Sequence, residues 1–196
     1  MNTVHHDTYD AITPDQWDLH GRVVLITGAT RGIGRANAVA YARAGVSGII
    51  ITGRSLALLD EVEKEVLKAA DARKNIDNRS SSVKVLKVVL DVTNEAAVDE
   101  AARQVNANFE RLDILVNNAG YMTPFAPIHE TQPDGWNQTC ATNITGTFLL
   151  VRAFIPLLTS SEDGLKIIAN ASSIASSIIA PYNISYAVRG CDLSCS

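Results

Sequence analysis

A short apolar run that leads directly into a glycine-rich turn constrains the fold of this chain most strongly. Val23–Ile26 is continuously apolar and mostly β-branched, which is typical of a strand buried on both faces of a parallel sheet. Residues 27–34 follow with the pattern T-G-x-x-x-G-x-G and open a helix-compatible segment. Glycines at such a turn let the backbone bend tightly and let a phosphate approach the free amides of the helix. The motif therefore predicts a nucleotide-phosphate site, and the alternative is a turn that merely connects strand to helix.

Strand-sized and helix-sized patterns alternate along the rest of the chain. Further strands are predicted at residues 48–52, 83–90, 113–116 and 165–169. Helices are predicted at 33–44, from 56 into the polar stretch 74–82, at 95–109, and at 136–158 with a break near Pro156. Five parallel strands with intervening helices predict an α/β fold, a doubly wound parallel sheet of the Rossmann type. We assign residues 21–196 to this single domain and residues 1–20 to an N-terminal arm.

Composition narrows the classes of partner. The 196 residues are 46% apolar and 19% charged, with a net charge of −4, as in an ordinary globular domain. No cluster of Lys and Arg indicates a nucleic-acid partner, and no apolar run approaches the roughly 18 residues of a membrane span. The first residues lack a signal-peptide pattern, so we expect a cytoplasmic protein. The cysteines lack metal-ligand spacing, so we predict no metal site and a small molecule as the partner.

Two arginines indicate which dinucleotide the turn would hold. Arg54 follows the second predicted strand, where an NAD site usually offers an acidic side chain to the ribose 2′-hydroxyl. Together with Arg31 inside the turn, it could clamp a 2′-phosphate through forked hydrogen bonds. This pair favours NADP(H) over NAD(H), and the alternative is two solvated surface arginines. Asp91 and Val92, which end the third strand, fit a contact to the adenine ring; the alternative for Asp91 is a turn or N-cap residue.

Several motifs occur in a fixed order along these elements: the turn of residues 27–34, Asn117-Asn118-Ala119-Gly120 after the fourth strand, then Asn143, Ser173 and Tyr186. With them, residues 22–188 resemble the short-chain dehydrogenase/reductase family. The resemblance, with the arginine and aspartate positions above, gives one set of expected cofactor-binding residues: Thr27, Gly28, Arg31, Gly32, Ile33, Gly34, Arg54, Asp91, Val92, Asn118, Ala119 and Gly120.

The resemblance also implies a reaction. It implies hydride transfer between a nicotinamide dinucleotide and a carbonyl or alcohol substrate, with proton transfer at the substrate oxygen. Tyr186 would supply that proton, and Ser173 would hydrogen-bond the same oxygen. Asn143 would be presented by the long helix to a water of the proton relay. These three are the expected catalytic residues.

The chain departs from the family four residues after the tyrosine, where Gly190 replaces a lysine that favours the phenolate. Arg189 carries a charge beside that position, but a guanidinium cannot exchange a proton as an amine does. Residues 189–196 continue neither a helical nor a strand pattern, so we expect a domain that is truncated and C-terminally incomplete. The fifth strand would then be an exposed apolar edge, covered by a second copy of the chain or another partner. The alternatives to an active oxidoreductase are a catalytically inactive NADP-binding pseudoenzyme and a fragment without function.

Overall fold

The computed structural model describes residues 13–77, 82–124, 126–160 and 166–171. Within these ranges, parallel strands form one five-stranded sheet in the spatial order β3-β2-β1-β4-β5. The strands are β1 (Val23–Ile26), β2 (Gly48–Gly53), β3 (Lys84–Val89), β4 (Ile114–Asn117) and β5 (Ile167–Asn170). The chain moves outward from β1 to β3 and then returns to the other side of β1, so a crevice opens between the carboxyl ends of β1 and β4. The predicted doubly wound parallel sheet is confirmed.

Helices connect the strands and cover both faces of the sheet. They are α1 (Gly32–Arg43), α2 (Leu56–Asp77), α3 (Glu95–Phe109), α4 (Pro133–Cys140) and α5 (Gly146–Thr159). A π-helical segment, Ala141–Thr145, joins α4 to α5. Apolar side chains of α1 and α2 pack on one face of the sheet, and those of α3 and α5 pack on the other. The bounds of α3 are the predicted ones, and α2 ends at Asp77, inside the polar stretch 74–82 where its end was predicted.

The central strand β1 contributes to both cores. Val24 and Ile26 face α1 and α2, whereas Val23 and Leu25 face α3 and α5. All four side chains are buried. Because both faces are covered by helices, the strand shows no alternation of apolar and polar residues, and its sequence is a continuous apolar run.

The long predicted helix is irregular at a different place from the one expected. We predicted a break near Pro156, but α5 runs through this proline to Thr159, so that prediction is wrong. Phe154, Leu157 and Leu158 are buried on either side of the proline, and their packing holds the helix together. The irregularity is the π-helical segment instead, a form that often occurs at functional sites.

The run from α4 through α5, Pro133–Thr159, is the one stretch of the described residues long and apolar enough to cross a membrane, and an 18-residue window within it has a mean hydropathy of 1.4. Its inward-facing residues belong to the core on the α3 side of the sheet, and they include Leu149, Leu150 and Phe154. The apolar character of this run is therefore that of the core helix of an α/β domain.

A buried carboxylate, Asp113, ties the strands together at their amino ends. It accepts hydrogen bonds from the backbone N–H of Val23 at 2.9 Å, from Arg111 at 2.6 Å and from Lys166 at 3.1 Å. Burial by itself raises the pKa of Asp113, but these hydrogen bonds outweigh it and lower the pKa to about 2. One ionised side chain thus joins β1, β4 and β5 at the end of the sheet that is remote from the crevice.

The last residues of the predicted N-terminal arm lie against the body of the domain. Asp15 forms an ion pair with Arg43 at the end of α1, and its carbonyl oxygen accepts a hydrogen bond from Arg73 of α2. Leu19 packs against the core on the α1 and α2 side. Residues 1–12 lie outside the described ranges, and the boundary of the arm at residue 20 stays a prediction.

Candidate functional site

A cavity of about 180 Å³ lies in the crevice at the carboxyl ends of the strands. One side of it, the turn wall, consists of residues 27–34 and 118–120. The other side, the helix wall, consists of Tyr121 and residues 138–146, and it belongs to the opposite face of the sheet. Between the two walls the cavity is lined by residues that end or follow β2 and β3: Gly53, Arg54, Leu90, Asp91 and Val92.

Thr27 holds the turn wall together from behind. Its hydroxyl donates a hydrogen bond to the Val116 carbonyl at 3.3 Å and accepts one from the backbone N–H of Asn118 and one from that of Ala119, both at 3.0 Å. The side chain is fully buried and does not line the cavity. Thr27, predicted as a cofactor-binding residue, therefore joins the end of β1 to the end of β4.

The two segments of the turn wall approach so closely that side chains are excluded. The Asn118 amide donates hydrogen bonds to the carbonyl oxygens of Thr27 and Gly28, at 2.8 and 3.1 Å. A Cβ at Gly28, where φ is +63°, would lie 2.9 Å from the Cα of Ala119. A Cβ at Gly34 would lie 2.5 Å from the Asn118 amide nitrogen and closer still to the Gly28 carbonyl oxygen. Glycine is required at both positions for steric reasons.

The first turn of α1 is open to an anion. Gly32 has a φ of +54°, and a Cβ at this position would meet no atom within 4 Å, so the space beside it is free. Arg31 precedes the helix, and its side chain does not cap the first backbone amides of α1. Unpaired amides at a helix N-terminus attract phosphate groups through hydrogen bonds and the helix dipole. The residues at this end of the cavity therefore fit a dinucleotide phosphate.

Charged side chains stand at the ends of β2 and β3. Arg54 is exposed and lines the cavity together with Arg31 and Asp91. The Asp91 carboxylate accepts hydrogen bonds from the backbone N–H of Thr93 at 3.0 Å and from its hydroxyl at 2.7 Å. These bonds, with a smaller contribution from the charge of Arg54, lower the pKa of Asp91, so this carboxylate is ionised near neutral pH.

Asn143 anchors the helix wall. Its side-chain oxygen accepts a hydrogen bond from the backbone N–H of Tyr121 at 2.9 Å, and its amide donates to the Tyr121 carbonyl at 2.8 Å. Asn143 lies in the π-helical segment and is buried. One turn further, Gly146 packs so closely on Val92 that a Cβ would lie 2.9 Å from the valine side chain. These two contacts fix the position of the helix wall relative to β4 and β3.

The structure brings most of the predicted cofactor-binding residues to one cavity. Those that line it are Gly28, Arg31, Arg54, Asp91, Val92, Asn118, Ala119 and Gly120. Thr27 and Gly34 hold the turn in place, and Gly32 and Ile33 belong to it; none of the four lines the cavity. Of the predicted catalytic residues, Asn143 is described above, while Ser173 and Tyr186 lie outside the described residues, and their roles stay predictions.

Sequence reasoning missed two residues of the helix wall as lining residues: Gln138 and Thr142. Tyr121, which directly follows Gly120, lines the cavity beside them. For Gln138 and Thr142 the available signal was their helical spacing from Gly146, since residues four apart share one side of a helix.

The family of the chain follows from comparison with known proteins. A family model described as short chain dehydrogenase matches residues 22–188. The chain is therefore a member of the short-chain dehydrogenase/reductase family.

Curated relatives come from fungi and bacteria, among others. The chain is 42% identical over 181 residues to the short chain dehydrogenase mpl6 of Monascus purpureus, covering 92% of this chain and 59% of that protein. It is 41% identical over 180 residues to the short chain dehydrogenase pigC of Monascus ruber, covering 92% of this chain and 56% of that protein. The chain thus spans a little more than half the length of these relatives.

Solved structures share the fold. A metagenomic short-chain oxidoreductase in complex with NADP superposes with a TM-score of 0.74 at 30% identity, covering 89% of this chain and 72% of that chain. An NAD⁺-bound xylitol dehydrogenase gives a TM-score of 0.74 at 28% identity, covering 88% of this chain and 60% of that chain. Proteins of this family bind nicotinamide dinucleotides, and both NADP and NAD complexes occur among the similar structures.

Proposed function

We propose that the protein is an oxidoreductase that transfers a hydride between NADP(H) and a carbonyl or alcohol substrate. The observation that carries this proposal is the open turn wall at the point where the strand order reverses. In doubly wound sheets this is the place where ligands bind. Here the uncapped start of α1 directly follows Arg31, which lines the cavity, and glycines keep the turn clear of side chains. Membership of the short-chain dehydrogenase/reductase family supports the same activity.

Different residues around the cavity would bind different parts of the dinucleotide. The first turn of α1, next to the open space at Gly32, would hold the pyrophosphate. Asp91 would accept a hydrogen bond from the base, since its carboxylate has one oxygen that Thr93 does not use. Arg31 and Arg54 would bind a 2′-phosphate, because both line the cavity and a guanidinium forms forked hydrogen bonds to phosphate oxygens.

The chemistry at the substrate oxygen would come from side chains of this chain. When bound, the nicotinamide supplies or accepts the hydride. Tyr186 would transfer a proton at the substrate oxygen, and Ser173 would orient that oxygen by a hydrogen bond. Asn143 would hold the backbone of Tyr121 beside the reacting groups, because both ends of its amide are bonded there. A free tyrosine has a pKa of about 10, so Tyr186 would need a nearby positive charge, and Arg189 is the cation closest to it in sequence.

A titration of the purified protein with NADPH and with NADH tests the cofactor assignment. Nicotinamide fluorescence and the melting temperature are followed together in the same samples. We expect saturable binding, a higher melting temperature and a Kd about tenfold lower for NADPH than for NADH, from the extra phosphate contacts. Failure of both dinucleotides to bind to a cooperatively unfolding protein would contradict the proposal.

The catalytic half of the proposal needs a separate test. NADPH oxidation is measured with a panel of aldehydes and ketones, for the protein as it is and for a Gly190→Lys variant. We expect the lysine to raise kcat, because its charge favours the phenolate of Tyr186. A Gly190→Ala variant is the control for helix propensity alone, and equal rates for both variants would show that the charge has no part in the reaction.

We also propose that a second copy of the chain covers α5. The exposed apolar residues Ile144, Phe148 and Ile155 fall on one side of this helical run. Light scattering after size exclusion should show a dimer that Phe148→Asp converts to a monomer, and a wild-type monomer would contradict this.

We propose a cytoplasmic location as well, and recovery of the protein in a membrane pellet would contradict it.

A further inference from the structure

Two polar side chains of the helix wall face the cavity and have no part in the function proposed above. Gln138 and Thr142 line the cavity from one side of the helical run, and Gly146 follows four residues later on the same side. Because Gly146 packs directly on Val92, this side of the run lies against the end of β3. Gln138 and Thr142 therefore line the same cavity as Asp91 and Val92, on the side of the helical run that continues to the contact between Gly146 and Val92.

The hydrogen bond between these two residues determines what Gln138 can offer. Its amide nitrogen donates to the Thr142 hydroxyl at 3.1 Å. That nitrogen carries a second hydrogen, and the amide oxygen is an acceptor beside it. The bond to Thr142 thus restricts the side chain while leaving a donor and an acceptor side by side. Asp91 across the cavity is ionised and is an acceptor alone.

We propose that Gln138 is a specificity-determining residue that reads the adenine base of the cofactor, with Thr142 as its positioning residue. The inference rests on the proposed function, since it assumes that the cavity holds an adenine dinucleotide. On its N6/N7 edge, adenine presents an amino donor next to a ring-nitrogen acceptor, which is the pattern that a glutamine or asparagine amide pairs with in two hydrogen bonds. On the same edge hypoxanthine has an oxygen in place of the amino group, so it offers two acceptors and loses one of these bonds.

The test compares NADPH with its hypoxanthine analogue, the reduced deamino dinucleotide phosphate, by nicotinamide fluorescence. The quantity of interest is the ratio of the two dissociation constants. We expect the wild-type protein to prefer adenine and Gln138→Leu, which keeps the side-chain size, to reduce that preference about fivefold. Thr142→Val should reduce it by a smaller factor, because the amide stays but is no longer held. Asn137→Leu, an exposed amide on the neighbouring side of α4, is the matched control and should leave the ratio unchanged.

The outcomes separate this inference from the proposed function. If the wild-type protein binds neither dinucleotide, the proposed function itself fails, and this inference fails with it. If NADPH binds but Gln138→Leu leaves the ratio unchanged, or weakens both dinucleotides equally, Gln138 does not read the base and the inference is overturned. A change of the same size in Asn137→Leu also overturns it. The melting temperature of each variant, measured without ligand, shows that it folds.

Discussion

The two walls of the crevice are held in place by different means. In the turn wall, backbone segments approach closely, with Gly28 against the backbone of Ala119 and Gly34 against the Gly28 carbonyl, and the side chains of Thr27 and Asn118 join the segments. In the helix wall, the Asn143 amide binds the backbone of Tyr121 through two hydrogen bonds. Close packing thus excludes a side chain at two positions of the turn wall, whereas the position of Tyr121 in the helix wall depends on the hydrogen bonds of one amide.

This difference indicates where a family with one fold can vary its ligands. A wall made of close backbone contacts can bind only what every cofactor of the class shares, which is the phosphate. A helical wall with lining positions one turn apart, such as Gln138 and Thr142, can change its hydrogen-bonding groups without moving the backbone. We expect substitutions in the turn wall to affect stability and binding together, and substitutions at lining positions of the helix wall to affect selectivity alone.

The largest effect is expected at Gly34. A methyl group there collides with the Gly28 carbonyl and the Asn118 amide, so Gly34→Ala should lower the free energy of unfolding by about 3 kcal/mol and weaken NADPH binding severely. Urea unfolding followed by circular dichroism measures the first quantity. Gly32→Ala is the control for a methyl group that meets no other atom. It should lower the free energy of unfolding by only about 1 kcal/mol, because alanine is strained at the positive φ of this position. Equal costs at the two positions would show that close packing does not define the turn wall.

The corresponding change in the helix wall is Asn143→Ala. It leaves the N–H and the carbonyl of Tyr121 without their partner in a partly buried setting, and we expect the free energy of unfolding to fall by about 2 kcal/mol. Hydrogen exchange at the Tyr121 amide should become faster by more than the global loss of stability explains. Asn137→Ala, on the exposed side of α4, should change neither quantity. If the Tyr121 amide stays protected in the Asn143 variant, the two hydrogen bonds of Asn143 do not fix the position of the helix wall.

Asp113 provides a reference for both walls, because it acts at the far end of the sheet. Its folded-state pKa of about 2 lies below the ordinary value of 3.8, so its contribution is present above about pH 4 and is lost as the pH falls toward 2. The shift corresponds to roughly 2 kcal/mol of stability. Asp113→Asn should lower the free energy of unfolding at pH 6 by about this amount, with a difference from wild type that shrinks below pH 4 and with unchanged NADPH affinity.

Asp99→Asn, at a partly exposed carboxylate on α3, is the control for removing a negative charge. It should have little effect at any pH, since exposed pairs contribute little. A pH-independent difference between wild type and Asp113→Asn would show that the carboxylate acts through its shape and not its charge.

The smallest expected effect concerns a lining residue between the walls. Arg54→Gln should raise the Kd for NADPH about tenfold and leave that for NADH nearly unchanged, because only NADPH carries the 2′-phosphate. Stability should not change, since Arg54 is exposed. Arg103→Gln, an exposed arginine of α3 outside the cavity, is the control for overall charge. Equal weakening of both cofactors would assign Arg54 to another part of the dinucleotide.

The sequence predicted the turn wall better than the helix wall, and the reason is physical. A buried strand, a glycine turn and a following helix are local patterns, so β1, α1 and the site between them could be assigned from the order of residues. The π-helical segment at Asn143 has no such local signal, because it depends on the contact of the Asn143 side chain with Tyr121, 22 residues away. Asp113 was missed for the same reason, since its partners Val23 and Lys166 come from distant parts of the chain.

The hydrogen bonds of Thr27 have a consequence for how the domain folds. Its hydroxyl accepts a hydrogen bond from the backbone N–H of Asn118, 91 residues further along the chain. Closing a loop of this length costs more entropy than pairing β1 with β2, so we expect the crevice to form late in folding. During synthesis, the glycine turn would wait for β4 to emerge before the turn wall could close. Cofactor binding would then indicate that the contacts between the distant segments after β1 and β4 have formed.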